Sequence, residues 1–144
     1  MPGIVVGIDG SDDAHHALNW AMREAAARHT TLTVLTIIPA MASPWTGNPL
    51  TVPDAAEAVQ HARQAADEAV AAAAAQLGDA QPESVTVRAH TGFPTKTLIE
   101  ASHGADLVVV GRRGGGGFAS LLLGSTSSQV AQHSACPVVI VPSV

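Results

Sequence analysis

The feature that most limits the fold of this chain is an alternation of short apolar runs with longer stretches of helical pattern. Five runs rich in Val, Ile and Leu lie at residues 4–8, 32–38, 84–90, 107–110 and 137–142. Most are continuous, which is typical of strands buried on both faces, whereas residues 84–90 alternate and predict an edge strand. Strands that alternate with helices predict a parallel sheet with right-handed crossovers. The expected fold is a three-layer α/β/α sandwich with a five-stranded parallel sheet, one domain over residues 1–144.

The segments between the runs supply the helices. Residues 12–28 place alanine and leucine at i, i+3 and i+4 spacing, which predicts an amphipathic helix. Residues 54–77 are rich in alanine and are followed by Gly78, which predicts a long helix lying on the sheet. Residues 39–53 have no period and predict a long loop, whose role the sequence leaves open.

A glycine-rich stretch after the fourth run indicates where a ligand binds. Gly111, Gly114 and Gly124-Ser125 follow the spacing G-x2-G-x9-G-S. Glycines let backbone N–H groups face phosphate oxygens, and a helix that begins near Ser125 adds further N–H groups and its positive dipole end. In sheets of this type ligands lie beyond the carboxyl ends of the strands. If the first and fourth strands adjoin, Asp9 and this stretch lie across one crevice.

Composition excludes several classes of function. The net charge is −5 and the basic residues cluster only at Arg112-Arg113, so no nucleic-acid partner is expected. The apolar runs are too short to span a membrane, and the N-terminus lacks the pattern of a signal peptide. A single cysteine fits a reducing cytoplasm, where we expect the protein. The histidines have no metal-ligand spacing, so no metal site made from side chains alone is expected.

Three pieces of the sequence resemble the universal stress protein family of the ATP-binding type. They are IVVGIDGS at residues 4–11, VVVGRRGGGGFASLLLGSTSSQV at 108–130 and CPVVIVP at 136–142. The resemblance implies a Rossmann-like, adenine nucleotide alpha hydrolase-like sandwich with strand order 3-2-1-4-5. It also implies ATP bound where the strand order reverses, and a homodimer formed through the C-terminal strand at residues 137–142.

The resemblance also implies which residues contact the nucleotide. Asp9 corresponds to the acidic residue near the ribose and adenine, and Ile38 or Pro39 to the strand end whose backbone faces the adenine. The full expected set is Gly7, Asp9, Ile38, Pro39, Gly111, Arg112, Gly114, Gly115, Gly116, Gly117, Gly124, Ser125 and Thr126. The chain departs from the family pattern in reading RRGGGG at residues 112–117.

Plainer interpretations of the same residues stay open. Asp9 also suits a turn at the end of a strand, and residues 125–128 also suit helix capping. The P-loop pattern is absent and Lys96 is the only lysine, so we expect ATP, with Mg²⁺ where it accompanies the phosphates, to be bound with little or no hydrolysis. The alternatives are a slow ATPase or nucleotidyl-transfer enzyme, a cyclic-AMP-binding protein, and a dimerisation module without a ligand.

Overall fold

A computed structural model describes residues 3–39, 55–112 and 124–142 of the chain. Its elements in chain order are β1 (Ile4–Ile8), α1 (Asp12–Arg28), β2 (Thr31–Pro39), α2 (Ala55–Leu77), β3 (Ser84–Gly92), α3 (Pro94–Ser102), β4 (Leu107–Gly111), α4 (Ser125–His133) and β5 (Val138–Val141). All strand pairs are parallel, and the sheet order is β3-β2-β1-β4-β5. The predicted α/β fold and strand order are therefore confirmed. Within the described ranges, no helix is long and apolar enough to cross a membrane.

Strands β1 and β4, which adjoin in the interior of the sheet, are buried on both faces. Val5 and Val6 of β1 and Val108 and Val109 of β4 are each no more than 1% exposed. Their side chains alternate between two cores. One core packs β1 and β2 against α1 and α2, and the other packs the opposite face of the sheet against α3 and α4. The continuous apolar runs of β1 and β4 are explained by this double burial.

The flanking strands have different environments. β3 is an edge strand whose residues alternate between exposed and half-buried, as its sequence predicts. β5 is the opposite edge, and all four of its residues are half-buried. β2 and β3 pair along nine residues each, from Thr31 with Ser84 to Pro39 with Gly92, and so extend beyond their apolar runs.

Helix α1 begins and ends through local capping interactions. Ser11 is the N-cap of α1, and its hydroxyl accepts a hydrogen bond of 3.2 Å from the N–H of Ala14. His29 ends α1 in the left-handed conformation, with a φ of 53°.

α2 approaches the sheet closely through Ala66 and Ala73, which are 2% and 4% exposed. This arrangement confirms the prediction that the alanine-rich segment is a helix lying on the sheet.

The connections place the reversal of strand order beside β1. The chain leaves β1 for β2 on one side, and after β3 it crosses to β4 on the other side. The carboxyl ends of β1 and β4 therefore lie side by side at this reversal, where sheets of this type form a crevice for ligands.

Candidate functional site

A cavity of about 670 Å³ opens at the carboxyl ends of β1, β2 and β4. Its volume lies within the range of small-molecule sites, roughly 300–1,000 Å³. Among the described residues its walls are Gly7, Ile8, Asp9, Gly10, Ser11, Ala14, His15, Leu35, Thr36, Ile37, Ile38, Pro39, His61, Ala62, Ala65, Ala66, Pro94, Leu98, Val110, Gly111 and Thr126. Most of these side chains are apolar, with a few polar groups between them, as in pockets for organic ligands.

The structure brings part of the sequence-predicted site together at this cavity. The predicted residues that line it are Gly7, Asp9, Ile38, Pro39, Gly111 and Thr126. Arg112, Gly124 and Ser125 are not among the described lining residues, and Ser125 is exposed to solvent. Gly114, Gly115, Gly116 and Gly117 lie outside the described residues. Residues from the first and last thirds of the chain thus share one crevice.

Asp9 occupies a turn and the cavity wall at the same time. Its Oδ1 accepts a hydrogen bond of 2.9 Å from the N–H of Ser11, which is the Asx-turn geometry that the plainer interpretation predicts. Asp9 also lines the cavity, and it is the only carboxylate among the described lining residues. The turn fixes the carboxyl group at the mouth of the crevice, so the two interpretations are compatible.

The glycines at the strand ends have a packing role. A Cβ on Gly111 would lie 2.8 Å from the backbone carbonyl carbon of Asp13, so this residue must be small for α1 to begin against β4. A Cβ on Gly7 would lie 2.9 Å from Cδ1 of Leu98 in α3. From the sequence pattern, glycine is expected at position 111 because a ligand approaches the backbone there. The described contacts show a second need for glycine, which is the close packing of β4 against α1.

The start of α4 is held against the end of β4 by two contacts. The N–H of Gly124 donates to the carbonyl of Arg112 over 2.8 Å, which joins the residues on either side of segment 113–123. The hydroxyl of Ser127 donates to the carbonyl of Gly111. Ser127 is 3% exposed, so this contact is sheltered from water. The first turn of α4 is consequently fixed next to the crevice.

The N-cap of α4 is Gly124, and no side chain caps the helix. The interpretation of residues 125–128 as the capping serines is therefore wrong, because these residues lie inside the helix. The first N–H groups of an uncapped helix have no partner within the helix and favour an anion. Nearby, Nε of Arg112 is buried and has no hydrogen-bond partner in the described part of the chain.

Several lining residues were not predicted from the sequence. They come from the flanking elements: Thr36 from β2, His15 from α1, His61 and three alanines from α2, and Pro94 and Leu98 from α3. Thr95, at the start of α3, donates to Oγ1 of the lining residue Thr126 over 3.3 Å. The position of Thr36 near the end of β2 was a usable signal. His61 lies within a long helical pattern and offered none.

The described residues include few side chains that could catalyse a reaction at a phosphate group. Nζ of Lys96 lies 4.0 Å from Oε1 of Glu100 on exposed α3, and Lys96 is not among the lining residues. No group of three His, Cys, Asp or Glu residues suited to hold a metal ion occurs within the described ranges. The arrangement is equipped to hold a ligand through turns, helix ends and apolar walls.

Comparison with known proteins identifies relatives along the whole chain. The sequence profile described as "Universal stress protein family" matches residues 2–142. A universal stress protein of Mycolicibacterium smegmatis is 36% identical over 141 residues, covering 96% of this chain and 47% of that protein. A universal stress protein of Mycobacterium tuberculosis is 33% identical over 141 residues, covering 98% and 48%. The chain therefore spans about half the length of the curated relatives it matches.

Solved structures of similar fold extend the comparison. The universal stress protein UspA from Lactobacillus plantarum matches with a TM-score of 0.76 at 23% identity, covering 97% of each chain. A universal stress protein crystallised in complex with cAMP matches with a TM-score of 0.67 at 29% identity, covering 99% of this chain and 98% of that one. A third, from Archaeoglobus fulgidus in complex with dAMP, has a TM-score of 0.60 at 20% identity and covers 98% of each chain.

Proposed function

Because this chain belongs to the universal stress protein family, we propose that its cavity binds an adenine nucleotide, with ATP as the favoured ligand. The bound nucleotide sets the state of a regulatory dimer in cytoplasmic stress adaptation. The observation that carries the proposal is the cavity at the reversal of strand order, where Asp9 and Gly111 lie together with Thr126. A universal stress protein that is 29% identical was crystallised with cAMP, which supports an adenine nucleotide as the class of ligand.

The start of α4 is the proposed phosphate end of the site. Gly124 provides no side-chain cap, so the N–H groups of the first turn are open to an anion. Thr126 adds a hydroxyl at the cavity wall, where Thr95 holds it. In this proposal Gly111, Arg112, Gly124 and Ser125 surround the phosphates together with residues 114–117, which lie outside the described part.

The opposite end of the cavity is the proposed nucleoside end. Asp9 faces the ribose, and the backbone at Ile38 and Pro39 faces the adenine. Oδ1 of Asp9 is already engaged by Ser11, which leaves Oδ2 for a ribose hydroxyl. A carboxylate held by its own turn loses little conformational freedom on binding.

The length of the glycine pattern favours ATP over cyclic AMP. Gly111 and Ser125 are 14 positions apart in the sequence. A cyclic monophosphate has a single phosphate and would contact fewer of the backbone N–H groups along this stretch than a triphosphate would. Mg²⁺ would be bound chiefly by the phosphates, since Asp9 is the one carboxylate among the described lining residues.

Little or no hydrolysis is proposed. Phosphoryl transfer needs a cation that bridges the phosphates and a residue that orients the nucleophile. Arg112 is the cation that this proposal places at the phosphates, whereas Lys96 lies outside the described cavity wall. Asp9 is held in a turn by Ser11 and faces the ribose, so no described lining residue suits the orientation of the nucleophile. A steady-state ATPase rate in the ordinary enzyme range, about 1 per second or more, would support the alternative of an ATPase or a nucleotidyl transferase.

The dimer is proposed to form through the edge of β5. Its four residues are half-buried, and as an edge strand it has one row of backbone groups without a partner strand in the described part of the chain. An apolar edge of this kind is prone to aggregation, and pairing with a second copy about a two-fold axis satisfies both the backbone and the side chains.

A titration series tests the proposal. Calorimetry with ATP, ADP, AMP and cyclic AMP, with and without Mg²⁺, should give the tightest binding for ATP, with affinity falling as phosphates are removed. Equal affinity for AMP and ATP would contradict the phosphate end. Tighter binding of cyclic AMP than of ATP would identify cyclic AMP as the ligand. Binding of none of the four nucleotides would favour a dimerisation module that has no ligand.

A further inference from the structure

The cavity has a wall that neither the strand ends nor the glycine-rich stretch provides. Ala62, Ala65 and Ala66 of α2 line it. Their spacing of i, i+3 and i+4 places them on one face of the helix. Alanine has no atoms beyond Cβ, so this part of the wall is smooth and apolar. Such a surface suits the face of a flat aromatic ring.

Thr36 of β2 lies on the same side of the sheet as this alanine wall. Its neighbours Leu35 and Ile37 belong to the core beneath α3 and α4, whereas Val34 belongs to the core beneath α1 and α2. Since side chains alternate along a strand, Thr36 shares the side of Val34. Thr36 is 7% exposed and lines the cavity.

The hydroxyl of Thr36 makes no hydrogen bond with the rest of the described chain. Its oxygen is not one of the fully buried side-chain atoms without a partner, so it opens onto the cavity and is free to bond water or a ligand there. A polar atom of a bound ligand is the partner that the cavity can supply. The cavity therefore combines a flat apolar wall with one hydroxyl, on a largely buried side chain, that has no partner among the described residues.

We propose that Thr36 and Ala65 determine which ring the site accepts. The ring lies against the alanine wall of α2, and the hydroxyl of Thr36 hydrogen-bonds a polar atom on the edge of the ring. Ala65 leaves the space that the ring occupies. The inference rests on the proposed nucleotide function and adds the residues that recognise the base.

The hydroxyl is tested by Thr36→Val, which keeps the shape of the side chain and removes the hydrogen bond. We expect the affinity to fall about 3- to 10-fold, as for the loss of one hydrogen bond, and to fall equally for ATP and for adenosine. Thr36→Ser keeps the hydroxyl and should restore most of the affinity. Thr86→Val, on exposed β3 outside the cavity wall, is the matched control and should leave the affinity unchanged.

The variant Ala65→Leu tests whether the ring needs the room beside Ala65. The larger side chain would extend into the cavity, and because position 65 is exposed, we expect the fold to tolerate it. We expect adenosine and ATP to lose about tenfold or more in affinity through the steric clash. Ala72→Leu, at another exposed position of the same helix outside the cavity wall, should change the affinity less than twofold. Melting curves without ligand check that all variants are folded.

The outcomes separate this inference from the function on which it rests. If the wild-type protein binds neither ATP nor adenosine, the proposed function fails. If the wild-type protein binds them and Thr36→Val and Ala65→Leu bind equally well, only the ring assignment is overturned. A loss in Thr36→Val that occurs with ATP and not with adenosine also overturns it, because the hydroxyl would then act on the phosphates.

Discussion

Gly111 and Asp13 lie so close together that a Cβ on Gly111 would come within 2.8 Å of the backbone carbonyl carbon of Asp13. The contact joins the end of β4 to the first turn of α1, two elements that are almost a hundred residues apart in the sequence. Because backbone atoms cannot move aside as a flexible side chain can, the contact fixes the distance across one side of the crevice.

We predict that Gly111→Ala destabilises the protein by about 1–3 kcal/mol, the range for overpacking a close contact. Urea denaturation measures the change in the free energy of unfolding. Gly92→Ala is the matched control, because a Cβ at that strand end meets its nearest atom at an ordinary 3.6 Å. Equal stability of Gly111→Ala and the wild-type protein would contradict the close packing of α1 against β4.

The hydroxyl of Ser127 is the second tie between β4 and the helix start. We predict that Ser127→Ala lowers the free energy of unfolding by about 1–2 kcal/mol, because it leaves the part-buried carbonyl of Gly111 without this donor. We also expect weaker ATP binding, since the first turn of α4 would be less firmly placed. Ser128→Ala is the control: within the described residues, the hydroxyl of Ser128 bonds the exposed amide of Gln132 alone, over 3.3 Å. Equal stability of the two variants would contradict a stabilising role for the hydrogen bond between Ser127 and Gly111.

The proposed dimer depends on backbone groups at the outer edge of β5. The carbonyls of Pro137 and Val141 accept hydrogen bonds from the N–H groups of Val108 in β4 and of Arg112 just after it. By alternation, the N–H of Ile140 lies on the outer side. We predict that Ile140→Pro, which removes that N–H, sediments as a monomer at micromolar concentration. Ile140→Ala also loses the side chain but keeps the N–H, and should remain dimeric. A wild-type protein that sediments as a monomer would contradict the dimer.

The fold follows closely from the sequence because its main determinants are local. The continuous valine runs of β1 and β4 reflect burial on both faces, and the alternation of residues 84–90 reflects an edge strand. The strand order is not written in these patterns. It was predicted through the family resemblance and is confirmed by the sheet topology.

The site was less predictable because its walls come from distant elements. Asp9 and Gly111 could be found from local sequence, because Asp9 lies in a turn after the first apolar run and Gly111 is a glycine at the end of the fourth. Thr36 carries only the signal of its position near the end of β2, and Ala65 looks like an ordinary helix residue; the packing of α2 over β2 places the two at one cavity. The plainer alternative for residues 125–128, that they cap the helix, is wrong because Gly124, which has no side chain, is the N-cap.

The central claim is that Asp9 belongs to a nucleotide site, and calorimetric titration of Asp9→Ala with ATP tests it most directly. Asp9→Asn retains an oxygen for the turn to Ser11 and separates the loss of charge from loss of the turn. Asp79→Ala, an exposed carboxylate outside the cavity wall, is the control. We predict that wild-type protein and Asp79→Ala bind ATP alike and that Asp9→Ala binds at least about tenfold more weakly, as for loss of a hydrogen bond to a charged group. Equal affinity of Asp9→Ala and wild-type protein, or no ATP binding by the wild-type protein, would contradict the account.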